Sequence, residues 1–245
     1  MTESNLNQRI EDWWRARSDA FQSDDRPFTT LAYAQSWDGS LTTHSGETLS
    51  ISGQESLRVT HQLRSLHDGI LIGIGTLLSD DPQLTVRSWD GPNPQPIVLD
   101  SQLRTPASAK LCDHPDKSCW ILTAKTEREH FGEHAEVLSV PAAEEGGSQV
   151  CLSAAMQLLR SRGIRSLMVE GGANVITAFL QAGLVDAVVL TIAPKLVGGY
   201  KAVGDLQSAG SNRVMDIRSL NSGQAGADMI VWGELHYNGS TTCKG

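Results

Sequence analysis

The stretch from Ser166 to Leu180 constrains the fold more than any other. Ser166 to Val169 reads as a short buried strand, Glu170-Gly171-Gly172 interrupts it, and Val175, Ile176, Phe179 and Leu180 then recur at helical spacing before a stop at Gly183. A strand that passes through a glycine pair straight into an amphipathic helix is a βα unit, the building block of layered α/β folds. The same turn has chemistry in it. Glycine allows close approach to the backbone, and the free N–H groups and dipole of a helix N-terminus favour negative charge. Glu170 then falls at the carboxyl end of a strand, where open α/β sheets bind ligands. Two readings follow from these residues: a site for a phosphate-bearing ligand, or a tight turn whose glycines serve packing.

The rest of the chain repeats the alternation. Phe28 to Gln35 is a predicted strand ending in the turn Ser36-Trp37-Asp38-Gly39-Ser40, and Thr42 to Ile51 reads as loop. Ser52 with Glu55 has the form of a capping box opening a helix. Val59, Leu63 and Leu66 form its buried stripe. Leu57, His61 and Arg64 lie on an adjacent face, so Arg64 is expected to rim a pocket rather than enter the core. Further strands are predicted over Gly69–Gly73, Pro96–Leu99, Cys119–Thr123 and Asp186–Ala193, with a short helical turn before Pro82 and a helix from Leu152 to Gly163. Glu133 to Ala143 reads as a connector with one short strand. Val214–Leu220 and Asp228–Leu235 close the chain as two strands joined by a glycine-rich link. The expectation is a three-layer α/β fold with a mostly parallel sheet and antiparallel strands at its C-terminal end. One domain spans 26–237. It is preceded by a helical extension over 1–25, in which Leu6, Ile10, Trp13 and Arg17 share a face, and followed by a polar tail over 238–245.

A net charge of −8 argues against nucleic acid or an anionic membrane as partner, because the overall field repels polyanions. It leaves room for a small phosphate held by a few arginines. No apolar run approaches the roughly 18 residues of a membrane span, and no basic-then-apolar signal opens the chain, so a cytoplasmic location is expected. The cysteines at 112, 119, 151 and 243 form no CxxC pair and match no zinc spacing; no metal site is expected, and reduced structural thiols are.

No GxSxG, Walker loop, zinc-deaminase pattern or complete GxGxxG appears. What remains is a set of polar residues at the ends of apolar strands: Asp38, Arg64, Thr76, Asp80, Asp81, Arg87, Ser101, Arg104 and Glu170. Arg64 and Arg87 flank one strand–turn unit and have the geometry to hold a phosphate bidentately; as surface cations they would be unremarked. Asp80-Asp81-Pro82 is equally a turn or helix end, and Asp38-Gly39 equally a plain turn.

Several of these residues sit in longer runs. Ser36-Trp37-Asp38-Gly39, then Leu63-Arg64, then the stretch from Gly73 to Arg87 (GIGTLLSDDPQLTVR) resemble the reductase domain of riboflavin biosynthesis. Leu99 to Arg104, Val169 to Gly172 and Ala193 to Gly199 resemble that family's later motifs, in the same order, over roughly residues 27–236. The resemblance implies a dihydrofolate-reductase-like fold and a homodimer. It also implies NADPH-dependent reduction of a ribosylaminopyrimidine 5′-phosphate to the ribitylamino compound, with hydride delivered to the sugar C1′. The protein's task is then positioning and electrostatics.

Carried over position by position, Thr48, Arg64, Leu84, Arg87 and Glu170 match substrate-contacting places, with the two arginines on the phosphate. Ala34, Ser50, Thr76, Asp80, Ser101 and the turn Gly171, Gly172, Ala173, Asn174, Val175 and Ile176 match cofactor-contacting places. Arg104 is assigned to the extra phosphate of NADPH by its charge. Asp38 and Glu170 are the candidate catalytic groups. On this reading Arg64→Ala weakens substrate binding and leaves folding largely intact. Thr48, Ser50 and Tyr33-Ala34-Gln35 depart from the bacterial pattern, which commonly has Ser, Trp and a smaller glycine-bearing segment there. Those departures define an alternative, a paralogous reductase for another pteridine- or nucleotide-like substrate. A non-catalytic nucleotide-binding protein is the alternative from another class.

Overall fold

Apolar runs of four or five residues that are buried on both faces can only be inner strands, and they set the layout here. The computed structural model describes residues 3–125, 134–207 and 214–238. Helix α1 (Glu3–Ala20) precedes β1 (Phe28–Ser36), β2 (Ser40–Thr42), α2 (Gln54–Leu66), β3 (Gly69–Gly73), α3 (Ile74–Asp80) and β4 (Gln95–Leu99). Then come β5 (Cys119–Thr123), β6 (Ala135–Ser139), α4 (Leu152–Ser161), β7 (Ser166–Val169), α5 (Ala173–Gln181), β8 (Ala187–Ala193), β9 (Tyr200–Lys201), β10 (Met215–Ala225) and β11 (Asp228–Tyr237). Among the described residues, nine strands form one sheet in the order β10-β11-β8-β1-β7-β3-β4-β5-β6. From β8 to β6 every pairing is parallel; β11 runs antiparallel to both β8 and β10. The mostly parallel sheet with antiparallel C-terminal strands is therefore as expected.

Alternation along each strand builds two cores. Ile70 and Ile72 of β3 pack with Met168 and Val189 under α1, α2 and α3, through Ile10, Trp14, Val59, Leu63 and Leu77. Leu71, one residue out of phase, joins Leu167, Val169 and Val188 under α4 and α5, through Met156, Leu159, Ile176 and Phe179. Each fully buried side chain of this kind contributes about 1.5–3 kcal/mol.

The N-terminal helix docks through Leu6, Ile10, Trp13 and Trp14, all buried. The Trp14 indole N–H donates to His67 Nε2 at 3.0 Å, and the Thr30 hydroxyl lies 2.8 Å from the same nitrogen. His67 Nδ1 sits 2.6 Å from the Leu63 carbonyl. Only the neutral ring with its proton on Nδ1 satisfies all three contacts.

Local rules misjudge three places. The capping box does not form: Gly53 is the N-cap of α2, without a side-chain cap bond. The distant Asp228 carboxylate takes its place, accepting from the Gly53 N–H at 2.7 Å and from the Ser56 hydroxyl. Ser40–Thr42, read as turn and loop, pairs with Tyr200–Lys201 as a small separate ribbon. The glycine-rich link between the last strands is mostly ladder; Asn221 to Ala225 pair with Trp232 to Asp228, and the turn itself is Gly226-Ala227, with Gly226 at φ +60°. The tail expected over 238–245 lies, beyond Asn238, outside the described residues. Among the described residues no helix is long and apolar enough to cross a membrane.

Candidate functional site

The parallel strands end together, and their carboxyl ends open into a cavity of about 680 Å³. Ala34 from β1, Glu170 after β7, Thr76 from α3, Ser101 after β4 and Thr191 from β8 reach it, and the 43–52 loop covers it with Thr48 and Leu49. Two βα turns meet at its centre. Gly73 is the N-cap of α3 and Gly172 that of α5, and neither helix has a side-chain cap. The Gly172 N–H donates to Thr76 Oγ1 at 2.9 Å, tying the two turns together.

The glycines first serve packing. A Cβ on Gly73 would stand 2.5 Å from Val175 Cγ2, and one on Gly171 would stand 3.0 Å from Val175 Cβ and 3.3 Å from the Gly73 nitrogen. Both readings of the turn therefore hold at once: close packing of α3 on α5 brings two uncapped helix starts to one wall, where their dipoles favour an anion.

Glu170 and Arg64, 106 positions apart, form the principal ion pair. Arg64 Nε and one terminal nitrogen donate to the two carboxylate oxygens at 2.9 and 2.6 Å, and the other terminal nitrogen donates to the Thr85 carbonyl at 2.9 Å. Arg64 is buried, with its side chain 8% exposed, and stands behind Glu170 rather than on the cavity wall. This corrects the expectation that it rims a pocket: an amphipathic wheel places a residue on a face but cannot show that a distant carboxylate will draw it inward.

His61, one turn before Arg64, is fully buried, and its Nδ1 accepts the Arg87 backbone N–H at 3.1 Å. Burial first, then the charges of Arg64 and Arg87, push its pKa down to about 4. Burial alone brings His67 to about 4 as well. In the unfolded chain both rings titrate near 6.5. Between these values the unfolded chain binds protons that the fold refuses, so stability is highest above pH 6.5 and falls as pH drops towards 4. Urea midpoints at pH 7 and pH 4.5 are expected to show that loss, with a shallower dependence in His67→Phe; equal slopes in variant and parent would remove His67 from the effect.

Of the remaining site residues, Ala34, Thr48, Thr76, Asp80, Ser101, Arg104, Gly171, Gly172, Ala173, Asn174 and Val175 line the cavity together with Glu170. Thr48 Oγ1 donates to Asp80 Oδ1 at 2.5 Å, closing the covering loop onto α3. Ser50 is exposed and off the wall; its carbonyl lies 3.4 Å from Lys195 Nζ. Leu84 is buried, at φ +57°, and Ile176 sits in the core under α5, its N–H bonded to Gly172 O. Arg87 is exposed and off the cavity wall.

Asp38 is placed elsewhere altogether. Its carboxylate accepts from Lys201 Nζ at 2.7 Å, from the Val197 and Gly198 N–H groups at 2.9 Å each, and from the Ser36 and Ser40 hydroxyls at 2.7 and 2.8 Å. Lys201 first, then these other donors, hold it well below the usual carboxylate range. An ionised, fully engaged group off the cavity wall cannot pass a proton to a ligand there. Its role is to hold the 195–201 loop in place.

Sequence reasoning missed Thr42, Thr60, Thr191 and Tyr200 as wall residues. Thr191 had a signal, since it shares a face with Val189 at the carboxyl end of an apolar strand. Thr42 and Tyr200 had none, because their pairing is long-range. Tyr33, on the same wall, stays protonated to high pH, burial pushing its phenol up to about 12.

A family model, the RibD C-terminal domain, matches residues 27–231. Over 215 residues the chain is 34% identical to the riboflavin biosynthesis protein RibD of Aquifex aeolicus, covering 85% of this chain but only 58% of that longer protein. Over 212 residues it is 35% identical to the 2,5-diamino-6-ribosylamino-4(3H)-pyrimidinone 5′-phosphate reductase of Methanothermobacter thermautotrophicus, covering 84% of this chain and 97% of that one. Among solved structures, the riboflavin biosynthesis reductase of Saccharomyces cerevisiae superposes with a TM-score of 0.75 at 26% identity, over 94% of this chain and 99% of that one.

Proposed function

The chain belongs to the RibD C-terminal domain family, and on that premise we propose that it reduces the ribosyl group of a ribosylaminopyrimidine 5′-phosphate to the ribityl product, using NADPH. The observation that carries this reading is one cavity that joins two uncapped helix N-termini to an oriented carboxylate, Glu170. A dinucleotide fits the wall on its chemistry. The Ala173 and Asn174 N–H groups at the start of α5 would take the pyrophosphate, and Ser101 and Arg104, beyond β4, the adenylate end with its extra phosphate. Ala34 and Thr191 would then flank the reacting ring over β1 and β8. NADPH, when bound, supplies the hydride.

This chain's residues do the rest. Arg64 fixes both oxygens of Glu170, so the carboxylate meets a substrate hydroxyl or amine in one orientation. The covering loop, held by Thr48 on Asp80, excludes water from the reacting end. Arg87, exposed and with its backbone N–H held by His61, is assigned the substrate phosphate. We infer a homodimer, for which the edge strand β10, with Ile217 and Leu220 exposed, offers an apolar surface.

The diaminopyrimidinone form is the favoured substrate, because the relative matched over nearly its whole length carries that reaction in its name. The test is NADPH oxidation followed at 340 nm with the diaminopyrimidinone and uracil phosphates side by side. Turnover of the first is the expected result. NADPH binding with turnover of neither would overturn the reading in favour of a paralogous reductase for another heterocycle, to which the departures at Thr48 and Ser50 point.

A further inference from the structure

Among the described residues, seven buried side-chain atoms lack a hydrogen-bond partner, and only one of them, Thr42 Oγ1, belongs to a residue of the cavity wall. Thr42 is 7% exposed. Its strand is anchored on all sides. Thr42 pairs with Tyr200 across β2 and β9. Gly199 packs so closely on it that a Cβ there would lie 2.1 Å from the Thr42 carbonyl oxygen. Lys201 Nζ holds the start of the strand through Ser40 Oγ at 3.1 Å. The hydroxyl is thus fixed in place, desolvated and unsatisfied, an arrangement that disfavours the ligand-free fold unless something else uses it.

Its location says what. Tyr200 Oη lies 3.5 Å from Asn174 Oδ1 on the first turn of α5, and Ala34 of β1 shares the same wall, so Thr42 stands between the start of α5 and the end of β1. In the sheet, β3 and β4 lie on one side of β7, and β1 and β8 on the other. A dinucleotide whose pyrophosphate sits at α5 and whose adenylate end runs towards Arg104 must place its other half over β1. We propose that Thr42 Oγ1 hydrogen-bonds the nicotinamide riboside half of the cofactor, making Thr42 a specificity-determining residue for that half. The inference rests on the proposed NADPH dependence.

Thr42→Val removes the hydroxyl at nearly constant volume, and Thr42→Ser keeps it. NADPH affinity, measured by fluorescence titration without substrate, is expected to fall about tenfold in Thr42→Val. It should remain near that of the parent in Thr42→Ser. Affinity for 2′,5′-ADP, which lacks the nicotinamide riboside, should be unchanged in both. The ligand-free melting temperature of Thr42→Val should equal or exceed that of the parent, since an unsatisfied buried group is gone. If the parent binds NADPH and Thr42→Val binds it equally well, or loses 2′,5′-ADP in parallel, Thr42 has no such role. A parent protein that binds no NADPH overturns the functional reading and this inference with it.

Discussion

Arg64→Ala is expected to lower folding stability by about 3–5 kcal/mol, the cost of stripping one partner from a buried, hydrogen-bonded ion pair. The lower end is the better figure here, because Glu170 keeps 22% of its side chain in contact with solvent and water will screen part of its orphaned charge. The loss has three parts. Glu170 loses both of its Arg64 donors, the Thr85 carbonyl loses its donor, and the space vacated behind the cavity wall stays partly empty. This replaces the expectation from sequence that folding survives the substitution largely intact. That expectation suited a cation at a rim and does not suit one that is 8% exposed. Denaturant midpoints for Arg64→Ala, Glu170→Gln and Arg64→Ala/Glu170→Gln decide the matter. If the pair is coupled as drawn, the double variant loses less than the sum of the single ones. Strict additivity would mean that the two side chains contribute independently. Glu170→Gln in particular keeps the shape of the wall while removing the charge, so its effect on kcat/KM at undiminished NADPH affinity reports the carboxylate's part in the reaction.

Gly172→Asp should separate stability from cofactor binding. At φ −70° and ψ 177° the backbone is extended and accepts any residue, and the position is the N-cap of α5. Aspartate is among the best N-cap residues, worth a few tenths of a kcal/mol over the glycine it replaces. The new Cβ meets Thr76 Oγ1 at 3.0 Å, a hydroxyl able to yield a few tenths of an ångström, so some of that gain is lost. The carboxylate then occupies the helix N-terminus with its own negative charge. A pyrophosphate arriving there meets repulsion in place of the dipole's attraction, and affinity for NADPH should fall on the order of 100-fold, about 2.7 kcal/mol. Calorimetric titration against the parent tests the binding, and thermal unfolding without cofactor tests the capping. Undiminished NADPH affinity in this variant would place the pyrophosphate away from α5.

The legibility of this chain follows from how local each signal is. β3 and β5 were read at their exact limits, since uninterrupted apolar runs bounded by turn residues need no partner to declare themselves. The glycine turn at 171–172 was found because strand, glycine pair and helix fall in fifteen consecutive residues. The capping box at Ser52 failed for the opposite reason. Its local partner Glu55 was outcompeted by Asp228, a carboxylate more than 170 positions away that burial makes the stronger acceptor. The ribbon of β2 with β9 was invisible in the same way, since two and three residues carry too little pattern, and its pairing is set by Asp38, Lys201 and the close approach of Gly199.

By itself, then, the chain's residue order determined the succession of strands and helices, the parallel sheet and the anion-receptive turn, all consequences of side-chain periodicity and backbone preference within a few residues. Which residues face the cavity was decided only by the tertiary structure. Contacts across the fold drew Arg64 inward onto Glu170, spent Asp38 on a loop, and left the Thr42 hydroxyl buried without a partner. Those outcomes depend on desolvation and on the competition among distant donors and acceptors, which exist only once the layers have closed.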